Sequence, residues 1–546
     1  LVEFILVLVI IEKWRINNKM LFTFILIMLL VSSLGFLASK WRPGDLNRLQ
    51  EWGLAGRRFG TISSWFLLGG DIYTSYTFIA IPGLIFGTGA LGIFSTVGII
   101  VMYPFIFLVY PRFWTVARHR GYISPADFVR ERFDSKGLAL LVAITGIVAT
   151  MPFLALQLYA IEVSLAFIGV PVEVSLVIAF LLLSAYTYTS GLRASGLTAI
   201  AKDVLVFLVV ITAIIIIPTR LGGFAHIFAV APVAKVLLRP QQYLSFATLA
   251  LGTSLSLLLF PHNLTSMLCT NSRKVLQRNA VLLPLYTVLN VFFILLGFAG
   301  FAAHIQPSPI YKTNAVLPTL FVNLLPPWFA GIAFAAITIG ALVPAGIMSI
   351  ATANMFTRNI WSLFRPDCTD QEETNVAKIV SLLTKLGALA VILLLPATFA
   401  ANFFLLGGAL IVQLVPSIML GLYTNWFHRS ALIIGWIGGV GACLAMSIAQ
   451  QFQSQVYAFV IGGQSFTLFI GITGLFLNLL LATVLTPLFT LLGVQRGRDM
   501  TTPDDYLDVS RDQAAAAQLH HYVSPETTSP LVFSNRPQSS EKRGVR

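Results

Sequence analysis

Apolar stretches of about 20 residues recur along nearly the whole chain, and no other feature constrains its fold so tightly. They lie near residues 20–39, 60–87, 91–111, 138–168, 172–189, 197–218, 246–269, 280–304, 328–355, 376–397, 402–424, 430–450 and 464–492. A bilayer core about 30 Å thick is crossed by ~20 apolar residues of helix, and lipid obliges each crossing to satisfy its own backbone. The pattern predicts an all-α polytopic membrane protein with about thirteen transmembrane helices. Of the 546 residues, 57% are hydrophobic and 10% charged, more apolar surface than a soluble core of this size could hide. A soluble enzyme and a disordered scaffold are excluded, and the spans are too many for an anchored enzyme.

The net charge of +13 reflects topology rather than nucleic-acid binding. With alternate loops on one side, that side collects Lys40, Arg42, Arg48, Arg57, Arg58, Arg112, Arg118, Arg120, Arg130, Arg132, Lys136, Arg193, Lys202, Arg273, Lys274, Arg278, Arg358, Arg365, Lys378 and Arg429. From residue 40 onward the other side shows Arg220, Lys235, Arg239 and Lys312. Basic loops face the cytoplasm, so the N-terminus is expected outside and the C-terminus inside, in a cell inner (plasma) membrane. Cys269, Cys368 and Cys443 are far apart, so neither a disulfide framework nor a metal site is expected.

Residues 1–19 conflict with this topology. The stretch 1–11 is too short to span, and Lys13, Arg15 and Lys19 would sit on the wrong side. The expectation is a start-site artefact ahead of Met20, the alternative being a leader. Residues 20–39 form a first extra helix. Residues 493–546, with Pro503, Pro525, Pro530 and Pro537, are expected as a disordered cytoplasmic tail with one short helix near 504–520. No GxxxxGK[ST] occurs, which argues against an ATP-driven pump.

Transporters built on internal repeats bind their cargo where helices are interrupted near mid-membrane. Two interruptions stand out: Gly69, Gly70, Asp71 and the residues to Ser75, followed by Pro82 and Gly83; and Phe260, Pro261, His262 and Asn263. They open successive groups of five spans, 60–218 and 246–424, with two further helices over 430–492. Asp71 is the one acid of its span, and an intramembrane acid is costly unless paired or hydrated. The glycines alone could be packing residues, His262 a helix cap, and Glu162 either a cavity residue or the partner of a buried cation.

At this point the sequence resembles the sodium:solute symporters. The stretches TSGLRASGLTAIAKDVL (189–205), PHNLTSMLCTNSRKVLQRNAV (261–281) and ALVPAGIMSIATANMFTRNIW (341–361) are similar to that family's segments around the fifth, sixth and eighth core spans. WGLAGRRFGT (52–61), GGDIYTSYT (69–77), ATMPFLALQLYA (149–160) and GLYTNWF (421–427) look most like its monocarboxylate permease branch. The resemblance implies a LeuT-type inverted five-helix repeat with one extra helix before and two after. It implies cation-coupled symport of short monocarboxylates such as pyruvate and lactate, with alanine in range, and no enzyme activity or cofactor beyond a coupling sodium ion or proton.

The family's sodium site combines carbonyls of the broken first core helix with two hydroxyls on the eighth. Those hydroxyl positions fall here on Pro344 and Ala345, or, with two turns deleted, on Ser349 and Ile350. A hard cation wants several oxygen ligands, and these positions offer at most one. The family's Asp in the fifth core span is Ala199, and its Gln is Lys202. One reading puts the Lys202 ammonium in place of sodium, with proton coupling, since a desolvated lysine can shed its proton. The other has Lys202 snorkel to the interface or pair with Asp203. Asp71 is expected to serve a cation or to organise the unwound backbone.

The carboxylate is expected at the broken-helix N-termini, where free N–H groups and the dipole favour an anion. The candidate lining is Gly69, Gly70, Thr74, Ser75, Gln157, Ser254, Ser256 and Gln413. Partners are therefore a small carboxylate and the bilayer, with no nucleic acid. A same-fold symporter for an amino acid such as proline and a membrane nutrient sensor are the competing readings.

Overall fold

The computed structural model describes residues 17–40, 48–395 and 400–507. Of the expected leader and tail, all but 17–19 and 493–507 lies outside the described residues, as do Arg42 and the side chains of Lys40 and Arg193.

The first extra helix is α1, Asn18–Lys40. The first core passage is broken: α2 spans Thr61–Gly70, a non-helical turn follows, a π-helical turn covers Tyr76–Ala80, and α3 runs Ile81–Thr88. Then come α4 (Phe94–Arg120), the short α5 (Pro125–Phe133), α6 (Lys136–Ile168) and α7 (Val172–Arg220). The second repeat opens on another broken passage, α8 (Tyr243–Leu259) and α9 (Pro261–Leu268). It continues through α10 (Arg273–Leu282), α11 (Pro284–Ala302), α12 (Pro327–Phe356), α13 (Asp370–Leu394) and α14 (Ala401–Ile411). Helices α15 (Arg429–Ala449) and α16 (Ile470–Leu491) complete the set. Among the described residues, ten helices are long and apolar enough to cross a membrane. Counting α1, the first part of α7 and the broken first passage separately brings the crossings to about thirteen.

Two local expectations need correction. The apolar segments Val172–Ala185 and Thr198–Arg220 belong to the one helical element α7, so residues 190–196 are helical rather than a loop. The chain also contains a β-hairpin: β1 (Val456–Ile461) pairs antiparallel with β2 (Gln464–Phe469), from Val456 opposite Phe469 to Ile461 opposite Gln464. Gly462 and Gly463, both at positive φ, make its two-residue turn, a conformation that matches strand twist and favours glycine. Residues 464–469, read as the start of the last span, are therefore strand.

The breaks follow from local chemistry. Gly69 and Gly70 end α2 because other side chains need their Cβ space: the Tyr286 ring packs against Gly69, and Lys202 Nζ lies 3.1 Å from where a Gly70 Cβ would be. At the second break Phe260 is extended (ψ 136°), as a residue before proline prefers, and Pro261 starts α9 without an N–H to satisfy. Helix α12 forms the centre, with nearly every residue from Phe329 to Met355 buried. Its Ala335, Ala336, Gly340, Ala341 and Gly346 let the neighbouring α1, α6, α7 and α13 approach closely.

Candidate coupling and substrate site

The most unusual cluster sits where α2 stops. Lys202 of α7 donates from Nζ to the carbonyls of Gly70 and, at 3.2 Å, of Tyr73, both in the broken passage. Its third partner is Asp203 Oδ1 at 3.1 Å. Tyr286 of α11 donates to the other Asp203 oxygen at 2.9 Å, and Tyr73 donates from its hydroxyl to the Tyr286 carbonyl. Lys202 and Asp203 are both 0% exposed, so Lys202 does not reach the interface as the snorkelling alternative required. Burying such a pair is tolerable only when nearly every charge-bearing atom finds a partner.

The eighth core passage contributes little to this cluster. Pro344 and Ala345 carry no side-chain oxygen, and Ser349 donates its hydroxyl to Ala345 O of its own helix at 2.7 Å. The residue that α12 turns toward the Tyr73 carbonyl is Gly340, whose Cβ position would lie 3.8 Å from that oxygen. Of the five residues expected to couple a cation, Lys202 thus reaches the break, while Pro344, Ala345 and Ser349 present no free oxygen there. Asp71 lies on another face of the same turn. Ser266 of α9 donates to Asp71 Oδ2 at 3.2 Å, joining the two broken passages. Asp71 Oδ1 has no hydrogen-bond partner and borders a cavity of about 20 Å³, with Met102, Ile106, Tyr110, Leu257 and Asn263 among its walls. That is room for about one water.

The residues expected to line the substrate pocket divide. Gln157 of α6 accepts from the Ser75 N–H at 3.4 Å, and Thr74 Oγ1 accepts from the Tyr76 N–H at 3.1 Å, so both meet the unwound backbone. The hydroxyls of Ser75 and Ser254 are buried without a hydrogen-bond partner. Ser256 donates at 2.6 Å to Gly252 O of its own helix and packs on Gly408. Gly69 and Gly70 serve as packing positions, as described above. Gln413 is engaged with α16: its side-chain amide donates to Gly471 O at 3.0 Å, and Asn478 donates to its side-chain oxygen at 3.3 Å, so it ties the second repeat to that helix.

An aromatic cluster escaped the sequence reading. Tyr76, Phe153, Phe260, His262 and Phe404, from four core passages, meet with ring centroids 4.8–5.8 Å apart; Tyr76–Phe404, Phe153–Phe404 and Phe153–His262 stand at 4.8, 5.0 and 5.4 Å. His262, read above as a helix cap, has a partnerless Nδ1. Phe153 lies one helical turn from Gln157, so the two share a face; that i, i+4 spacing was the available signal. Glu162 accepts from Tyr311 at 3.1 Å rather than pairing with a cation.

Two interrupted passages meeting around buried polar backbone, inside a repeat bundle, form the arrangement found in membrane transporters built on internal repeats. The chain belongs to the sodium:solute symporter family, whose model matches residues 52–439. A monocarboxylate transport permease protein of Rhizobium johnstonii is 45% identical over 482 residues, covering 87% of this chain and 97% of that one. YodF of Bacillus subtilis, described as an uncharacterised symporter, is 29% identical over 484 residues, covering 85% and 92%. Among solved structures, the substrate-bound outward-open state of a Na+-coupled sialic acid symporter superposes with a TM-score of 0.73 at 19% identity, covering 88% of this chain and 99% of that one. That likeness establishes the fold.

Proposed function

We infer that the chain is a secondary active, cation-coupled importer of short monocarboxylates, pyruvate- and lactate-like acids with alanine in range. The observation that carries this reading is the 45% identity, along nearly the full length of both chains, to a protein named as a monocarboxylate permease. The site fits a small amphiphilic acid. Aromatic rings of Phe153, Phe260 and Phe404 offer an apolar wall. Ser75, Gln157 and the partnerless His262 Nδ1 offer a few polar contacts. The carboxylate is held by N–H groups at the helix breaks rather than by a fixed arginine. With few heavy atoms on the ligand, weak affinity from a few hydrogen bonds is expected.

Import follows from alternating access, in which cation and substrate favour the occluded state by binding it more tightly than the open ones. The arginine-rich loops face the cytoplasm in this reading, which places the N-terminus outside in a bacterial inner membrane. Competition tests the cargo. Uptake of labelled pyruvate into proteoliposomes should be suppressed by unlabelled lactate and, more weakly, by alanine. Suppression by proline alone would assign the chain to amino-acid transport instead.

A further inference from the structure

We propose that Lys202 is the proton-carrying group of this transporter: its ammonium stands as the cation at the first helix break, and one proton leaves and returns to it per cycle in place of a bound sodium ion. The inference rests on the symport reading and names its coupling ion.

Donor counting supports the assignment. An ammonium has three N–H donors; Lys202 hydrogen-bonds the carbonyls of Gly70 and Tyr73 and is ion-paired with Asp203 Oδ1 at 3.1 Å. The ammonium already sits against both carbonyls, and a second positive charge beside a buried ammonium would be repelled strongly. The expected hydroxyl positions of the opposing helix add no free oxygen: Pro344 and Ala345 have none, Ser349 is engaged within its own helix, and α12 turns Gly340 toward Tyr73 O. A hard cation wanting several oxygens finds no such set here.

The same geometry couples the proton to movement. Both carbonyls belong to the broken passage, whereas the lysine belongs to α7. Release of H+ to water converts –NH3+ to –NH2, leaving two N–H donors and a lone pair for three oxygen acceptors. The ion pair with Asp203 then ends, and with it the charge attraction that strengthens the hold of α7 on the two carbonyls of the break. Reprotonation restores both. The titratable groups around Lys202 are Asp203 on its own helix, Tyr73 from the broken passage and Tyr286 from α11, with Asp71 on the other face of the break within electrostatic reach; none of the described residues of α12 is titratable.

The test uses the full-length protein in proteoliposomes and in detergent. In sodium-free buffer, an inward gradient of one pH unit should drive about tenfold accumulation of labelled pyruvate for one proton per solute. Lys202→Arg keeps the charge but cannot release a proton, so its ratio of pyruvate exchange to gradient-driven uptake should rise about tenfold or more. Wild-type-level, pH-driven accumulation in Lys202→Arg would overturn the proposal, as would accumulation by the unaltered protein that requires sodium. A cargo-independent measurement covers misfolding of the variant and failure of the symport reading alike. Replacing choline chloride by sodium chloride should move the melting temperature of the wild-type protein by no more than about 1 °C, because an ion that does not bind the native state does not stabilise it. A saturating stabilisation by sodium would refute Lys202 as the resident cation even if no tested acid is transported.

Discussion

The hydroxyl of Tyr286 reaches across 2.9 Å to Asp203 Oδ2, so the acid that balances Lys202 is held by a second helix. Removing either member separates the energetic terms. Tyr286→Phe deletes a hydrogen bond to a charged group and should cost about 1.5–3 kcal/mol. Asp203→Asn leaves the ammonium without its counter-charge and should cost more, about 3–5 kcal/mol. Reversible unfolding in detergent reads the order; equal losses would mean that the ion pair contributes nothing beyond the hydrogen bond.

Gly69 and Gly70 respond differently to an added methyl. At Gly69 it enters the Tyr286 ring, which is held by its hydroxyl bond to Asp203 and by packing on the Tyr73 ring; at Gly70 it meets the end of a flexible lysine. Gly69→Ala should therefore destabilise by about 1–3 kcal/mol as an overpacked site does. Gly70→Ala should be milder in stability while disturbing transport, because it presses on the ammonium. Thermal melting together with pyruvate uptake on both variants checks the contrast.

Gln157 and Gln413 were both expected at the substrate, and the structure separates them. Gln157→Ala removes the acceptor of the Ser75 N–H and should raise the apparent KM for pyruvate about tenfold, the loss of one or two hydrogen bonds. Gln413→Ala should lower stability by about 1–2 kcal/mol through lost bonds to Gly471 and Asn478 while leaving KM unchanged. A raised KM in Gln413→Ala would return that residue to the pocket.

Residues beyond α16 fold back on the arginine-rich end. Arg120 binds Asp505 at 2.7 Å, Arg132 pairs with Asp499, and the Tyr506 ring lies 4.6 Å from the Arg112 guanidinium. Burial alone would raise the Asp505 carboxyl, but its bonds from Arg120 and Thr502 outweigh that and hold it below its ordinary value of 3.8. A carboxyl lowered on folding contributes stability above its unfolded value and loses it as pH falls through the folded one. Docking of 499–507 should thus be intact at neutral pH and loosen only below about pH 4. Asp505→Asn should loosen it at neutral pH, by up to about 1 kcal/mol since the pair is partly exposed, and remove its pH dependence. Hydrogen exchange across 499–507 measures both.

Much of this fold was legible because lipid leaves few options: about 20 apolar residues must become a helix. The same rule concealed the hairpin. Residues 464–469 are apolar enough to join the last span, and the alternating pattern around Gly462 and Gly463 was the signal a composition window averages away. At the site, Lys202 stood out as a departure from the family pattern. Asp203 beside it was an expected partner, but Gly70 and Tyr73 were not singled out, because they lie some 130 residues earlier and only tertiary packing brings them together. The aromatic cluster was missed for a related reason: phenylalanine is so common here that single rings carry no signal until helices from both repeats converge.

The most direct measurement of coupled transport is the pH inside pyranine-loaded proteoliposomes when pyruvate is added outside in sodium-free buffer. The account predicts lumen acidification in step with entry of labelled pyruvate, absent from liposomes without protein. Pyruvate entry that needs sodium and proceeds with no change in lumen pH would contradict it.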